Sequence, residues 1–288
     1  MLFETTTINC NGQILDISQP IVMGIINVTD DSFYKESRNH DEKNILTTAE
    51  KHLQDGAKII DIGAMSTRPG AHEIDLNEEI DRIASTIQLL KNHFKNIIIS
   101  VDTYRSSVAE MALSFGADMI NDISAGKLGD NMINVISKYN VPYIIMHMVG
   151  TPATMSKNTD YPDLMSSMLD YFVEAIGNLR QAGVKDIILD PGFGFSKTLD
   201  QNYELLSKIH LLQIFELPIL VGLSRKSMIY KVLGSTSEYA LNGTTAAHML
   251  ALQQGAKILR VHDVKEATEA IKIYNLYKKN NINKNSFY

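Results

Sequence analysis

Asn27, Asp61, Asp102, Asn121, His147, Asp190, Arg260 and His262 each stand at or beside the end of an aliphatic run. A run that ends this way puts its polar group where a buried strand leaves a parallel sheet, and that is where α/β sheets bind ligands. The stretch from Ile187 to Phe195 is the clearest case. Ile187, Ile188 and Leu189 make a strand buried on both faces, Asp190 ends it, and Pro191 and Gly192 prevent its continuation. Taken alone, an Asp that hydrogen-bonds the turn it starts explains Asp190 equally well.

Two chemistries divide these groups. Asp102, Asn121 and Asp190 offer acceptors and one amide, a set that can hold a planar heterocycle whose edge alternates N–H donors with acceptors. Asn27, Thr67, Arg68, Arg260 and His262 combine cations with neutral donors and suit phosphate or diphosphate. Asp61 and His147 are expected to be satisfied structural partners of the strand ends, Asp61 among loop backbone donors. Arg260 and His262 alternate along one strand and share a face, so an anion site and a salt-bridged internal layer are equally open.

The elements that must position these residues follow from periodicity. After Asn11-Gly12, the turn of a short hairpin within residues 5 to 17, come eight aliphatic runs separated by helical patterns. The segments beginning Gly56-Ala57, Gly116-Ala117, Gly183-Val184 and Gly255-Ala256 share one grammar: a helix ends in Gly, two residues turn, and an aliphatic strand finishes in a polar side chain. They fall on strands two, four, six and eight of the count, as expected for a single-domain (βα)8 TIM barrel with an N-terminal β-hairpin. The expected boundaries are a hairpin extension over 1–20, the barrel over 21–278 and a frayed polar tail over 279–288. A doubly wound sheet is the runner-up, but Gly24-Ile25-Ile26-Asn27 lacks its glycine fingerprint.

Bulk properties narrow the partners. A net charge of −6 offers no general basic surface, so small molecules are expected rather than nucleic acid. No apolar run approaches the ~18 to 20 residues needed to span a bilayer, and no export signal stands at the start. One cysteine, Cys10, permits no internal disulfide and no zinc cluster. A cytoplasmic location is expected.

The segments 23–33, 61–70, 100–103, 120–122, 146–148, 189–195, 224–227 and 260–264 follow one another in the order of a known family. Among them are Asp61-Ile62-Gly63-Ala64-Met65-Ser66-Thr67-Arg68-Pro69-Gly70, Leu189-Asp190-Pro191-Gly192-Phe193-Gly194-Phe195, Ser224-Arg225-Lys226-Ser227 and Arg260-Val261-His262-Asp263. The chain resembles the dihydropteroate synthases. That resemblance implies condensation of (7,8-dihydropterin-6-yl)methyl diphosphate with 4-aminobenzoate, with Mg2+ as cofactor, in a homodimer. It also implies that Asp102, Asn121, Asp190 and Lys226 hold the pterin and that Asn27, Thr67, Arg68, Arg260 and His262 surround the diphosphate. Asn27 would be a metal ligand. Phe33, Thr67, Pro69, Phe195 and Ser224 would line the aminobenzoate pocket, and Lys226, Arg260 and His262 would form the catalytic set. Asp30 stands where the family usually has Pro, and Ala64-Met65 where Gly-Glu is commoner. The rival readings are a noncatalytic pterin-binding paralogue and a methyltetrahydrofolate methyltransferase-like pterin barrel.

Overall fold

The computed structural model describes residues 5–28, 35–64 and 74–284, with side chains outside 35–40, 156 and 281–284. Strands β1 (Thr7–Cys10) and β2 (Gln13–Asp16) pair antiparallel across Asn11 and Gly12, whose φ angles of 51° and 91° suit the type I′ corner. The chain then alternates strand and helix. Strands β3 (Ile21–Asn27), β4 (Ile59–Gly63), β5 (Ile99–Asp102), β6 (Met119–Asp122), β7 (Tyr143–Met146), β8 (Ile187–Asp190), β9 (Leu220–Val221) and β10 (Ile258–Val261) form one parallel sheet of eight. Its order is β8-β7-β6-β5-β4-β3-β10-β9, and a parallel bridge between Leu189 and Ile219 joins the two ends into a barrel. The principal helices are α1 (Lys35–Gln54), α2 (Leu76–His93), α3 (Ser106–Ser114), α4 (Met132–Tyr139), α5 (Leu164–Gln181), α6 (Leu199–Lys208), α7 (Ser227–Val232), α8 (Leu241–Gln253) and α9 (Val264–Lys284). Helix α9 runs to Lys284. Among the described residues no helix is long and apolar enough to cross a membrane.

The repeat glycines have a conformational reason. Gly56, Gly116, Gly183 and Gly255 follow α1, α3, α5 and α8 with φ of 107°, 98°, 86° and 99°, a region closed to ordinary L-residues. Each ends a helix and turns the chain into the next strand. Helix starts are specified by side chains: Asp75 caps α2 by accepting from the Asn77 amide at 2.8 Å, and Thr198 with Gln201 forms a capping box on α6.

Strand alternation separates two cores. Outward residues such as Val22, Ile60, Val101, Ile120, Ile145, Leu189 and Leu259 pack against the helices. Inward residues at the amino ends of the strands, among them Met23, Ile59, Met119, Ile144, Ile188 and Ile258, form a second cluster with Ile8, Cys10, Leu15 and Ile17 of the hairpin region. The hairpin therefore stoppers the barrel floor with apolar side chains. Cys10 is fully buried there, and burial pushes its thiol up to about 12, so it is inert. Ile17→Ala should cost about 2–5 kcal/mol by leaving a cavity in this floor. Denaturant unfolding checks the loss, and the Michaelis constants of the folded variant should be unchanged because the floor is at the opposite end from the strand carboxyl termini.

Candidate active site

Because inward positions recur every second residue, the step after the apolar floor brings Asp61, Ser100, Asn121, Asp190 and Arg260 into the barrel, two residues beyond Ile59, Ile98, Met119, Ile188 and Ile258. Asp102 follows Ser100 by the same step. Arg260 lies across this layer. Its Nε donates to Asp61 Oδ2 at 2.6 Å and its Nη2 to Asp102 Oδ2 at 2.6 Å. A guanidinium has five N–H groups, so three remain for an anion above the layer. The salt-bridged layer that the sequence left open therefore exists, and it does not use up the guanidinium. Asp61 is completely buried, and its partners among the described residues are Arg260 and Asn121 Nδ2, the latter at 3.2 Å. Its Oδ1 is buried and has no hydrogen-bond partner among the described residues.

Crowding of carboxylates sets the electrostatics. Burial pushes Asp102 up to about 7, an effect that Arg260 opposes and that Asp61, Asp122 and Asp190 reinforce. Burial works against the Arg260 charge, but Asp61 and Asp102 outweigh it and hold its pKa above the ordinary value. Burial likewise raises Asp190, with Lys226 and the Gly192 amide opposing. Asp190 Oδ1 accepts the Gly192 amide at 2.8 Å, while Oδ2 has no partner among the described residues. Asn121 is buried with its amide at the same level. These groups present acceptors and donors around the barrel axis, as a hydrogen-bonding heterocycle requires.

Lys226 comes from the turn after β9. Its ammonium donates to Phe193 O and lies 4.7 Å from the centre of the Phe195 ring. Burial lowers it to about 8, and Asp190 opposes that shift. The turn itself is set by Arg225, at φ 54°, which forms a two-point pair with Asp263, both contacts 2.8 Å, and donates to Ser237 O at 3.0 Å. Ser224 Oγ meets both His262 N and His262 Nδ1 at 3.2 Å, so the turn after β9 and the end of β10 are tied together. Asn27 is exposed at the end of β3.

Apolar walls complete the cleft. Ile123, Met146, Met148 and Met155 cluster with Tyr104, Leu128 and Phe195 beside the polar layer. His147 is buried among Tyr161, Tyr171 and Phe172, and burial together with the charge of Lys197 lowers it to about 2, so it stays neutral. Behind the end of β5, Glu79 accepts from Thr103 Oγ1 and Arg105 Nη1, both at 2.8 Å, and Arg105 Nη1 also donates to Ile74 O at 3.0 Å. This network ties α2 and the strand end to the residue that follows the second loop. Thr67, Arg68 and Pro69, with Phe33 and Asp30 of the first loop, lie outside the described residues.

Sequence reasoning missed Lys197, the Arg225–Asp263 pair and the methionine wall. The first two follow no periodicity, and methionines beside a strand end read as ordinary core. The side-chain pairing of Asp61 with Arg260 was also missed, because those residues are 199 apart in the chain.

A closed parallel barrel with carboxylates, an amide and a lysine facing an apolar cleft, and a guanidinium within reach, suits a flat, polar heterocycle carrying an anionic group. A family model described as "Pterin binding enzyme" matches residues 23–262. The dihydropteroate synthase of Escherichia coli K12 is 42% identical over 269 residues, covering 91% of this chain and 93% of the relative. That of Bacillus subtilis is 39% identical over 255 residues, covering 88% and 87%. Among solved structures, the Yersinia pestis dihydropteroate synthase with a sulfonamide drug complex superposes with a TM-score of 0.89 at 39% identity, covering 95% of this chain and 99% of that one. The Xanthomonas albilineans enzyme with 4-aminobenzoic acid gives 0.87 at 34% identity, covering 95% and 98%. The chain belongs to the pterin-binding enzyme family, among the dihydropteroate synthases.

The Asp102 pKa carries a stability consequence. The folded value lies above that of an unfolded Asp, so the native state holds the proton more tightly. The stabilisation from this group is fully present below about pH 4 and is lost as pH rises towards 7, at up to about 1.4 kcal/mol per pH unit. Asp102→Asn removes that titration while Asp61 still pairs with Arg260. Unfolding free energies measured between pH 4 and 7 should therefore fall less steeply in the variant than in the wild type.

Proposed function

We propose that the protein condenses (7,8-dihydropterin-6-yl)methyl diphosphate with 4-aminobenzoate, releasing 7,8-dihydropteroate and diphosphate for folate synthesis. The carrying observation is the layer in which Asp102, Asn121 and Asp190 converge with Arg260 and Lys226 at the carboxyl end of one barrel. Asp102, Asn121, Asp190 and Lys226 hold the pterin ring. Asp190 is suited to accept two N–H bonds from the aminopyrimidinone edge, and the Met146 and Met148 side of the cleft covers the ring face. Arg260 and His262 receive the diphosphate with Asn27, Thr67 and Arg68, and Phe195 and Ser224 border the aminobenzoate with Phe33, Thr67 and Pro69.

The C–O bond to diphosphate breaks with its electron pair leaving on the diphosphate, and the pterin ring delocalises the cation left at the methylene. The lone pair of the aromatic amine then forms the C–N bond, and the surplus ammonium proton passes to solvent or to the diphosphate. The chain's work is to align the two substrates, exclude water from the cation and stabilise the leaving anion through Arg260. A strong general base is unnecessary.

Magnesium fits the donor set. Asn27 offers one exposed amide oxygen, and among the described residues no group of three acids, histidines or cysteines forms a metal cage. A cation that keeps its waters and rides on substrate phosphates needs only one or two protein oxygens. Asn27 would hold the ion, which when bound supplies positive charge to the diphosphate.

The decisive assay is Mg2+-dependent diphosphate release from the pterin substrate with and without 4-aminobenzoate. Release coupled to dihydropteroate formation is expected, and a noncatalytic paralogue or a methyltransferase would give none. Asp190→Ala should lower kcat/KM by about 10² to 10⁴, from the loss of two bonds to a charged acceptor at ~1.5 to 3 kcal/mol each. Near-normal turnover by a folded variant would remove Asp190 from the site.

A homodimer is supported by apolar side chains left exposed on neighbouring helices: Val232 of α7, Leu250 of α8, and Ile273 and Leu276 of α9. Sedimentation at micromolar concentration should return twice the chain mass. The single, buried, unpaired Cys10 agrees with a cytoplasmic location.

A further inference from the structure

Lys197 follows the loop after β8, and it is only 8% exposed. Its Nζ donates to Gly192 O and to Phe195 O, both at 3.0 Å, lies 3.0 Å from His147 Nδ1 and reaches His147 O at 3.4 Å. Three carbonyls and a ring nitrogen saturate an ammonium, which has three donors and accepts nothing. Burial nonetheless lowers this group to about 7, with Asp190 opposing the shift. While Lys197 is charged, a neutral His147 presents the Nδ1 lone pair to it and carries its own proton on Nε2.

The loop around Lys197 is held at every turn. Phe193 is fully buried and anchors it in the core. Gly194 N donates to Asn202 Oδ1 at 2.7 Å, and Tyr161 Oη donates to Ser196 O at 2.9 Å. Ser196 adopts φ 48°, unusual for a residue with a side chain, and its Oγ both accepts from Val149 N at 2.9 Å and donates to Val149 O at 2.8 Å. Two lysines divide the loop's carbonyls. Lys197 takes those of Gly192 and Phe195, and Lys226 takes that of Phe193. Fixing the Gly192 and Phe195 peptides on one ammonium leaves the Phe193 peptide to meet the other, and it is this arrangement that stacks the Phe195 ring beside Lys226.

We propose that Lys197 is a positioning residue: it sets the peptide orientations of the Gly192–Phe195 loop and so presents Phe195, beside the Lys226 ammonium, to the aminobenzoate. This role rests on Phe195 bordering the aminobenzoate pocket. With its ammonium taken up by backbone carbonyls and His147, Lys197 acts through the loop. Asp190 and Lys226 each meet this loop through one backbone hydrogen bond, at the Gly192 amide and the Phe193 carbonyl, whereas Phe195 stands on the loop itself.

The test is a double-mutant cycle read as Michaelis constants, with Lys197→Met, Phe195→Ala and the pair. Lys197→Met should raise the aminobenzoate KM about tenfold while changing the pterin diphosphate KM by less than about threefold, and the double variant should lie within about twofold of Phe195→Ala alone. The 15N spectrum of His147 should also lose the single Nε2–H tautomer in Lys197→Met. If Lys197→Met does not fold, Lys197→Gln, which keeps a donor, is read in the same cycle. A raised KM in Phe195→Ala with an unchanged one at position 197, or effects that multiply in the double variant, overturns the positioning role. An unchanged aminobenzoate KM in Phe195→Ala instead overturns the assignment of Phe195 to the pocket, and the role of Lys197 with it.

Discussion

Keeping a guanidinium charged inside a barrel is the constraint around which this molecule is arranged. Arg260 enters the interior because it sits two residues beyond Ile258 on β10, and it is stable there only because Asp61 on β4 and Asp102 on β5 meet it at 2.6 Å each. Removing one partner of such a buried set typically costs about 3–5 kcal/mol, since a charge is left uncompensated. Two of its N–H groups are taken by acids in the layer, and three are left to meet an anion.

The floor makes this layer possible. Hairpin residues Ile8, Cys10, Leu15 and Ile17 close the barrel against water from below, together with Met23, Ile59 and Ile258. Charges above a dry floor interact more strongly than the same charges in water. The cost appears in the carboxylates: Asp102 is pushed up to about 7 by burial, and Asp190 is raised as well. Both face a site whose ligands would replace the missing solvation with N–H donors, so part of the expense of burying these acids is recovered only when substrate binds.

Loops complete what the strands begin, and they are held by cations on backbone oxygens. Lys226 and Lys197 bind different carbonyls of one loop, Arg225 binds Asp263 and the backbone beyond α7, and Arg105 binds Ile74 after the second loop. Several of these contacts join segments distant in the chain. They convert flexible connections into parts of the site without requiring each loop to have a core of its own.

The sequence by itself determined the architecture and which polar residues stand at the strand ends. Aliphatic runs ending in polar residues, repeat glycines whose φ only glycine readily adopts, and the Asn11-Gly12 corner specify eight βα units and a hairpin through local sterics and period-two alternation. Asp102, Asn121, Asp190 and Arg260 were legible because a strand end carries its residue to the rim whatever the neighbouring strands do. What only the tertiary structure decided is which groups pair. Asp61 looked like a partner for loop backbone, yet it meets Arg260 from the far end of the chain. Lys197 looked like any lysine after a loop, yet the loop folds back around its ammonium. Hydrogen bonding to a buried charge depends on barrel closure and on peptide orientation, and neither leaves a period or a motif in the sequence.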